Sequence, residues 1–151
     1  MTEILPNLWL GNLDTTYDLE FLQDAKITHV LSILEIDHCS PAMAAKGVIH
    51  MRIRMYDSDD EPIFNVFPTA CKFIGDALKG GGAVYVHCLM GMSRSPTLVA
   101  AYLMKTHDMS AEEAIRFLVE RRPIVSPNDG FRGALVRFGA SLGLKDPLDK
   151  H

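Results

Sequence analysis

Segments with the period of a β-strand alternate along this chain with segments of helical period, and this alternation restricts the fold more than any other feature. Residues 28–34 (THVLSIL) are β-rich and bounded by polar residues. Residues 48–55 (VIHMRIRM) place Ile49, Met51, Ile53 and Met55 at every second position, the pattern of a half-buried strand. AVYVH (83–87) is a further short apolar run. Before it, Ile63, Phe67, Cys71, Ile74 and Leu78 recur every three or four residues, a helix stripe facing a core, and glycines 80–82 end it. Strands separated by helices predict an α/β fold with a mainly parallel twisted sheet flanked by helices.

The remaining segments fit that frame. MTEILPNLWLG (1–11) alternates apolar and polar residues, which predicts one short edge strand with Pro6 confined to the edge. Asp14 is the expected N-cap of a helix reaching about Asp24, with Leu19 and Leu22 buried. Residues 41–46 read as helical or irregular, LVAAYLM (98–104) as a buried helix. Ser110 and Glu113 have capping-box spacing, and Pro123 and Pro127 separate that helix from a last one over about 129–142.

With 151 residues, 48% apolar and 23% charged, the chain is expected to form one soluble domain over 1–151, with its core at about 3–142. Its longest apolar runs fall short of the roughly 18 residues that span a bilayer, so no stable membrane association is expected. A net charge of −4 argues against nucleic acid as a partner. Arg116, Arg121, Arg122, Arg132 and Arg137 read as solvated helix faces. The start MTEILPN has neither a basic nor an apolar signal region, and Cys39, Cys71 and Cys88 make no disulfide framework. A cytoplasmic location, with the nucleus as the alternative, follows as an expectation.

The chemistry concentrates where AVYVH runs out. Cys88 ends the strand, a loop follows to Arg94 and Ser95, and a helix begins. In parallel sheets ligands collect beyond the C-terminal ends of strands. A curled loop there turns backbone N–H groups inward as an anion nest, reinforced by the helix N-terminus. Leu89, Met90, Gly91, Met92, Ser93 and Arg94 are therefore the expected phosphate-binding residues, with Gly91 permitting the curl and Arg94 gripping two oxygens through its planar fork. The same field favours the thiolate of Cys88. In-line attack on phosphorus would give a cysteinyl-phosphate, with no metal or other cofactor required.

HCLMGMSRS (87–95) resembles the Cys-x5-Arg signature of protein tyrosine phosphatases, in the HCxxGxSRS form of dual-specificity phosphatases. ILPNLWLGN (4–12), THVLSI (28–33), AYLM (101–104) and RPIVSPNDGF (122–131) resemble family segments in the same order, so the likeness covers about residues 3–140. It implies a protein tyrosine phosphatase-like fold and an atypical, catalytic-domain-only dual-specificity protein phosphatase acting on phosphotyrosine, phosphoserine and phosphothreonine. The leaving oxygen needs a proton, and the resemblance implies an aspartate about thirty residues before the cysteine. Asp57 is the matching position, with Asp59 and Asp60 as alternatives in the same loop.

The resemblance further implies that the Ser95 hydroxyl stabilises the departing Cys88 thiolate, and that His87 stands behind the cysteine as a structural group. Asn128 reads as a bracing turn or cap residue and Cys71 as core; some relatives imply an oxidative pairing of Cys39 with Cys88. Leu89, Met90 and Met92 are uncharged, and the lid carries Asp57, Asp59, Asp60 and Glu61. Such a mouth should repel a polyphosphorylated headgroup unless Arg52, Arg54 and Arg132 face it. A phosphorylated protein is the expected substrate; a phosphoinositide or RNA 5′-phosphate substrate, or a phosphoprotein-binding module, are the alternatives. KDPLDKH lacks a C-a-a-X motif, which argues against prenylation.

Overall fold

The computed structural model describes residues 1–144; KDPLDKH, and with it the prenylation argument, lies outside the described residues. Among the described residues, five strands form one sheet in the order β1-β2-β5-β3-β4. They are β1 (Thr2–Leu5), β2 (Leu8–Gly11), β3 (His29–Leu34), β4 (Ile49–Arg54) and β5 (Val84–His87). Only the β1–β2 pair is antiparallel; β2, β5, β3 and β4 run parallel. The α/β reading with a mainly parallel sheet holds.

Side-chain alternation divides the core between the two faces of the sheet. Leu8, Leu10, Leu31, Ile33, Val84 and Val86 join the larger apolar cluster. Its helices are α3 (Phe67–Lys79), α4 (Arg94–His107), α5 (Ala111–Arg121) and α6 (Asp129–Ser141). Val30 and Tyr85 point the other way, to Phe21 and Leu22 of α1 (Leu19–Asp24) and Met43 of α2 (Pro41–Lys46). The central strand β5 is buried along its whole length. Its C-terminal end leads into the loop that begins at Cys88.

Several local expectations are corrected. Residues 1–11 form a hairpin rather than one edge strand, because Pro6 and Asn7 make the turn and Asn7 adopts φ 69°. β1 takes the edge, and β2 becomes an interior strand with Leu8 and Leu10 fully buried. Asp14 opens a 3-10 turn, and the cap of α1 is Asp18, whose carboxylate accepts from the Phe21 N–H at 3.0 Å. Ile63 belongs to a separate 3-10 turn that precedes α3.

Ile49 is 60% exposed, since it starts the edge strand β4, while Leu19 and Leu78 are half-buried. The helix read at 98–104 begins at Arg94, directly after the loop. It is buried on every side from Arg94 to Met104, and its start agrees with the helix expected after the loop. The capping box at Ser110 and Glu113 and the start of α6 beside Asn128 are as expected.

Candidate active site

Cys88 follows β5 and is buried, 2% exposed. Its Sγ accepts a hydrogen bond from Ser95 Oγ at 3.1 Å, which places the hydroxyl in the first turn of α4 against the sulfur. Behind it, His87 Nδ1 lies 3.0 Å from the Cys88 carbonyl oxygen. Burial pushes the His87 imidazole down to about 4, so the ring is neutral at neutral pH.

The loop between Cys88 and Arg94 is held from outside, carbonyl by carbonyl. Leu89 O accepts from Leu13 N at 3.1 Å, and Met92 O from Ser126 N at 2.7 Å. Met90 O and Gly91 O accept from the Arg122 guanidinium, at 3.1 Å from Nη2 and 3.0 Å from Nε. Ser93 O accepts from Thr97 N at 3.1 Å and Thr97 Oγ1 at 2.7 Å. In a planar trans peptide the carbonyl and the following N–H point in opposite directions. Each tie therefore turns the next amide toward the inside of the loop. Gly91 has φ 68°, and a Cβ there would meet the Gly11 carbonyl oxygen at 2.6 Å, so both the backbone and the available space require glycine.

Arg122 was not legible as part of the site. Its place in a run of arginines suggested a solvated helix face, whereas it lies at the C-cap of α5 with φ −139° and spans two loop carbonyls. Pro123 was the signal, because a residue before proline is driven out of the helical region. Glu35 was missed as well. It follows β3 and forms an ion pair with Arg94 Nη1, which also donates to Met55 O at 2.9 Å. The hydrogen bond from Arg94 holds the Glu35 carboxyl below its ordinary range. With Nη1 committed, Nε and Nη2 of Arg94 have no hydrogen-bond partner among the described residues.

Asn128 connects the acidic loop to this centre. Its Nδ2 donates to Asp57 Oδ1 at 2.9 Å, and its backbone N–H donates to Ser93 Oγ at 3.0 Å. The other acids have different partners. Asp59 Oδ1 accepts from Gly130 N at 3.3 Å, Asp60 from the Ser58 hydroxyl, and Glu61 from Tyr56 N at 3.1 Å. The Ser58 bond lowers the Asp60 pKa. Among the arginines considered for the mouth, Arg54 donates to Glu35 O at 3.4 Å and Arg132 to Pro127 O at 2.9 Å, while Arg52 donates to His50. Cys39, Cys71 and Cys88 are free thiols; Cys39 is exposed, and burial pushes Cys71 up to about 11.

Residues 8–141 match the family model described as the dual specificity phosphatase catalytic domain. The chain belongs to this family. Among dual specificity phosphatases it is similar to mouse Dual specificity protein phosphatase 15, with 38% identity over 139 residues, 92% of this chain and 57% of that protein. It thus spans little more than half the length of that relative. A crystal structure of DUSP15 matches with a TM-score of 0.87 at 36% identity, covering 92% of this chain and 86% of that one. The human tyrosine phosphatase-like serine/threonine/tyrosine-interacting protein matches with a TM-score of 0.88 at 32% identity, covering 93% and 96%. No helix among the described residues is long and apolar enough to cross a membrane.

Proposed function

We propose that this chain is a single dual-specificity phosphatase domain that hydrolyses phosphotyrosine and phosphoserine/phosphothreonine in proteins through a cysteinyl-phosphate intermediate. The observation that carries the reading is the Ser95 Oγ–Cys88 Sγ bond at 3.1 Å, at the base of a loop whose carbonyls are tied outward. The Cys88 thiolate attacks phosphorus, while the amides of Leu89, Met90, Gly91, Met92 and Ser93 and the free nitrogens of Arg94 bind the equatorial oxygens. Asp57 protonates the leaving ester oxygen, with Asn128 on Oδ1 leaving Oδ2 to carry the proton. Water then attacks the phosphocysteine, Asp57 accepts its proton, and Ser95 donates to the departing sulfur.

A phosphoprotein substrate is favoured by the rim. Leu89 and Met90 are 46% and 54% exposed and uncharged, and Asp57 of the acidic loop is tied through Asn128 to Ser93, which disfavours a polyanionic headgroup. The three free thiols fit a reducing compartment, cytoplasm or nucleus. A phosphoprotein-binding module is the second reading, suggested by the likeness to a protein whose name is phosphatase-like and interacting. The test is hydrolysis of an aryl phosphate with chelator present by wild type, Cys88→Ser and Asp57→Asn. Turnover that persists with chelator and vanishes in Cys88→Ser supports the cysteine mechanism, and loss sensitive to chelator overturns it. Phosphopeptide binding without turnover by the reduced wild type selects the binding module. Faster turnover of a phosphoinositide or RNA 5′-phosphate than of phosphopeptides selects a non-protein substrate.

A further inference from the structure

A polar chain crosses the α1/α2 face of the sheet. The parallel register sets His87 of β5 opposite Ser32 of β3, and Ser32 opposite Arg52 of β4. His50 precedes Arg52 by two residues and shares its face. Arg52 Nε lies 3.2 Å from His50 Nδ1, His50 Nε2 lies 2.7 Å from Ser32 Oγ, and Ser32 Oγ lies 2.6 Å from His87 Nε2. His87 Nδ1 completes the chain at the Cys88 carbonyl oxygen, 3.0 Å away.

Both ends dictate where the protons sit. A guanidinium only donates, so His50 Nδ1 accepts and the neutral His50 ring carries its proton on Nε2. That proton goes to Ser32 Oγ, whose single hydrogen then goes to His87 Nε2, leaving the His87 proton on Nδ1 facing a carbonyl that only accepts. The reverse order would set the His87 Nδ1 lone pair against the carbonyl lone pairs and leave Arg52 without its acceptor. Neutral rings are required throughout. Burial holds both histidines at about 4, with the charges of Arg52 and His38 adding to the effect on His50, and those of His50 and His38 to that on His87. Tyr85 stacks on the His87 ring, with centroids 5.6 Å apart and 15° between the planes.

We propose that Arg52 and His50 are positioning residues for the nucleophile: a one-way hydrogen-bond chain through Ser32 and His87 pins the Cys88 carbonyl outward and so holds the Leu89 amide toward the Cys88 sulfur. The proposal rests on the cysteine reading above for its role, although its geometry does not. An exposed arginine on the sheet edge thereby acts on a buried thiol two strands away.

The test uses histidine ¹⁵N NMR and the rate of Cys88 alkylation by iodoacetate, read on the Cys88 peptide, in wild type, Arg52→Ala and Arg52→Lys. Neither readout needs turnover, so an inactive wild type with the expected signals would sink the phosphatase reading and leave this one standing. Wild type should show a proton on Nε2 alone in His50 and on Nδ1 alone in His87 at neutral pH. In Arg52→Ala the His50 ring should become a mixture of tautomers and alkylation should slow about fivefold, the factor matching one net hydrogen bond. Arg52→Lys, which can also donate to Nδ1, should restore both. Reversed tautomers in wild type would overturn the proposal. So would an Arg52→Ala protein in which either readout stays at its wild-type value.

Discussion

Asn128 bonds to three parts of the site: its N–H donates to Ser93 in the loop after β5, its Nδ2 donates to Asp57 in the acidic loop, and its Oδ1 accepts from Phe131 N in the first turn of its own helix. Asn128→Asp separates these roles. Aspartate caps a helix as well as asparagine does, and the bond to Ser93 comes from the backbone, so Tm should stay near wild type. The donor to Asp57 is lost and a like charge takes its place. Turnover of phosphothreonine should then fall by about a hundredfold, within the range for loss of a general acid, and turnover of an aryl phosphate by less. Steady-state kinetics on the two substrates, together with a melting curve, would check this. Arg122→Lys tests the second bracing residue. A lysine cannot span two carbonyls as the planar fork does, so KM for an aryl phosphate should rise severalfold, and a KM at the wild-type value would contradict the bracing role.

At the scale of elements, α6 approaches the acidic loop so closely that a Cβ on Gly130 would collide with the Asp59 backbone carbonyl. Gly130→Ala must displace the acidic loop at Asp59 relative to α6. The expected result is reduced turnover of alkyl phosphates with Cys88 alkylation unchanged, since the sulfur and its cradle belong to other elements. Ser110→Ala is the control at this scale. It removes the reciprocal cap of α5, should cost about 1 kcal/mol of stability, and should leave kcat intact. Caps and stripes of this kind were legible along the chain, because the N-cap serine, the glutamate three residues on and the apolar repeat lie within one segment. The hairpin at the start was not. A strand and a hairpin alternate alike until the turn at Pro6 and Asn7 is given its φ of 69°.

The whole molecule carries a pH signature from its neutral histidines. His87 and His50 titrate at about 4 in the fold against an ordinary value of 6.5, and His29 is shifted in the same direction. Below 6.5 the unfolded chain takes up protons that the folded one refuses, so these groups destabilise the fold as pH falls from about 6.5 toward 4 and have no such effect above that window. Tm measured from neutral pH downward should decline before the carboxylates titrate, and the slope should be shallower in His50→Gln. Cys71 supplies a second global readout. Buried and pushed up to about 11, it should resist alkylation in the native protein and react on unfolding, whereas exposed Cys39 should react in both states.

What the sequence determined by itself is what lies close together along the chain: the alternation of periods that makes the sheet parallel, the caps, and the loop from Cys88 to Ser95 between a strand and a helix. Tertiary structure alone decided which distant groups serve that loop. Glu35 on Arg94, Arg122 on two carbonyls, Asn128 on Asp57, and the polar row from Arg52 to His87 are set by strand order and register. No local propensity encodes a contact between residues tens of positions apart; burial of the two sheet faces brings them together, and hydrogen bonding then holds them in place.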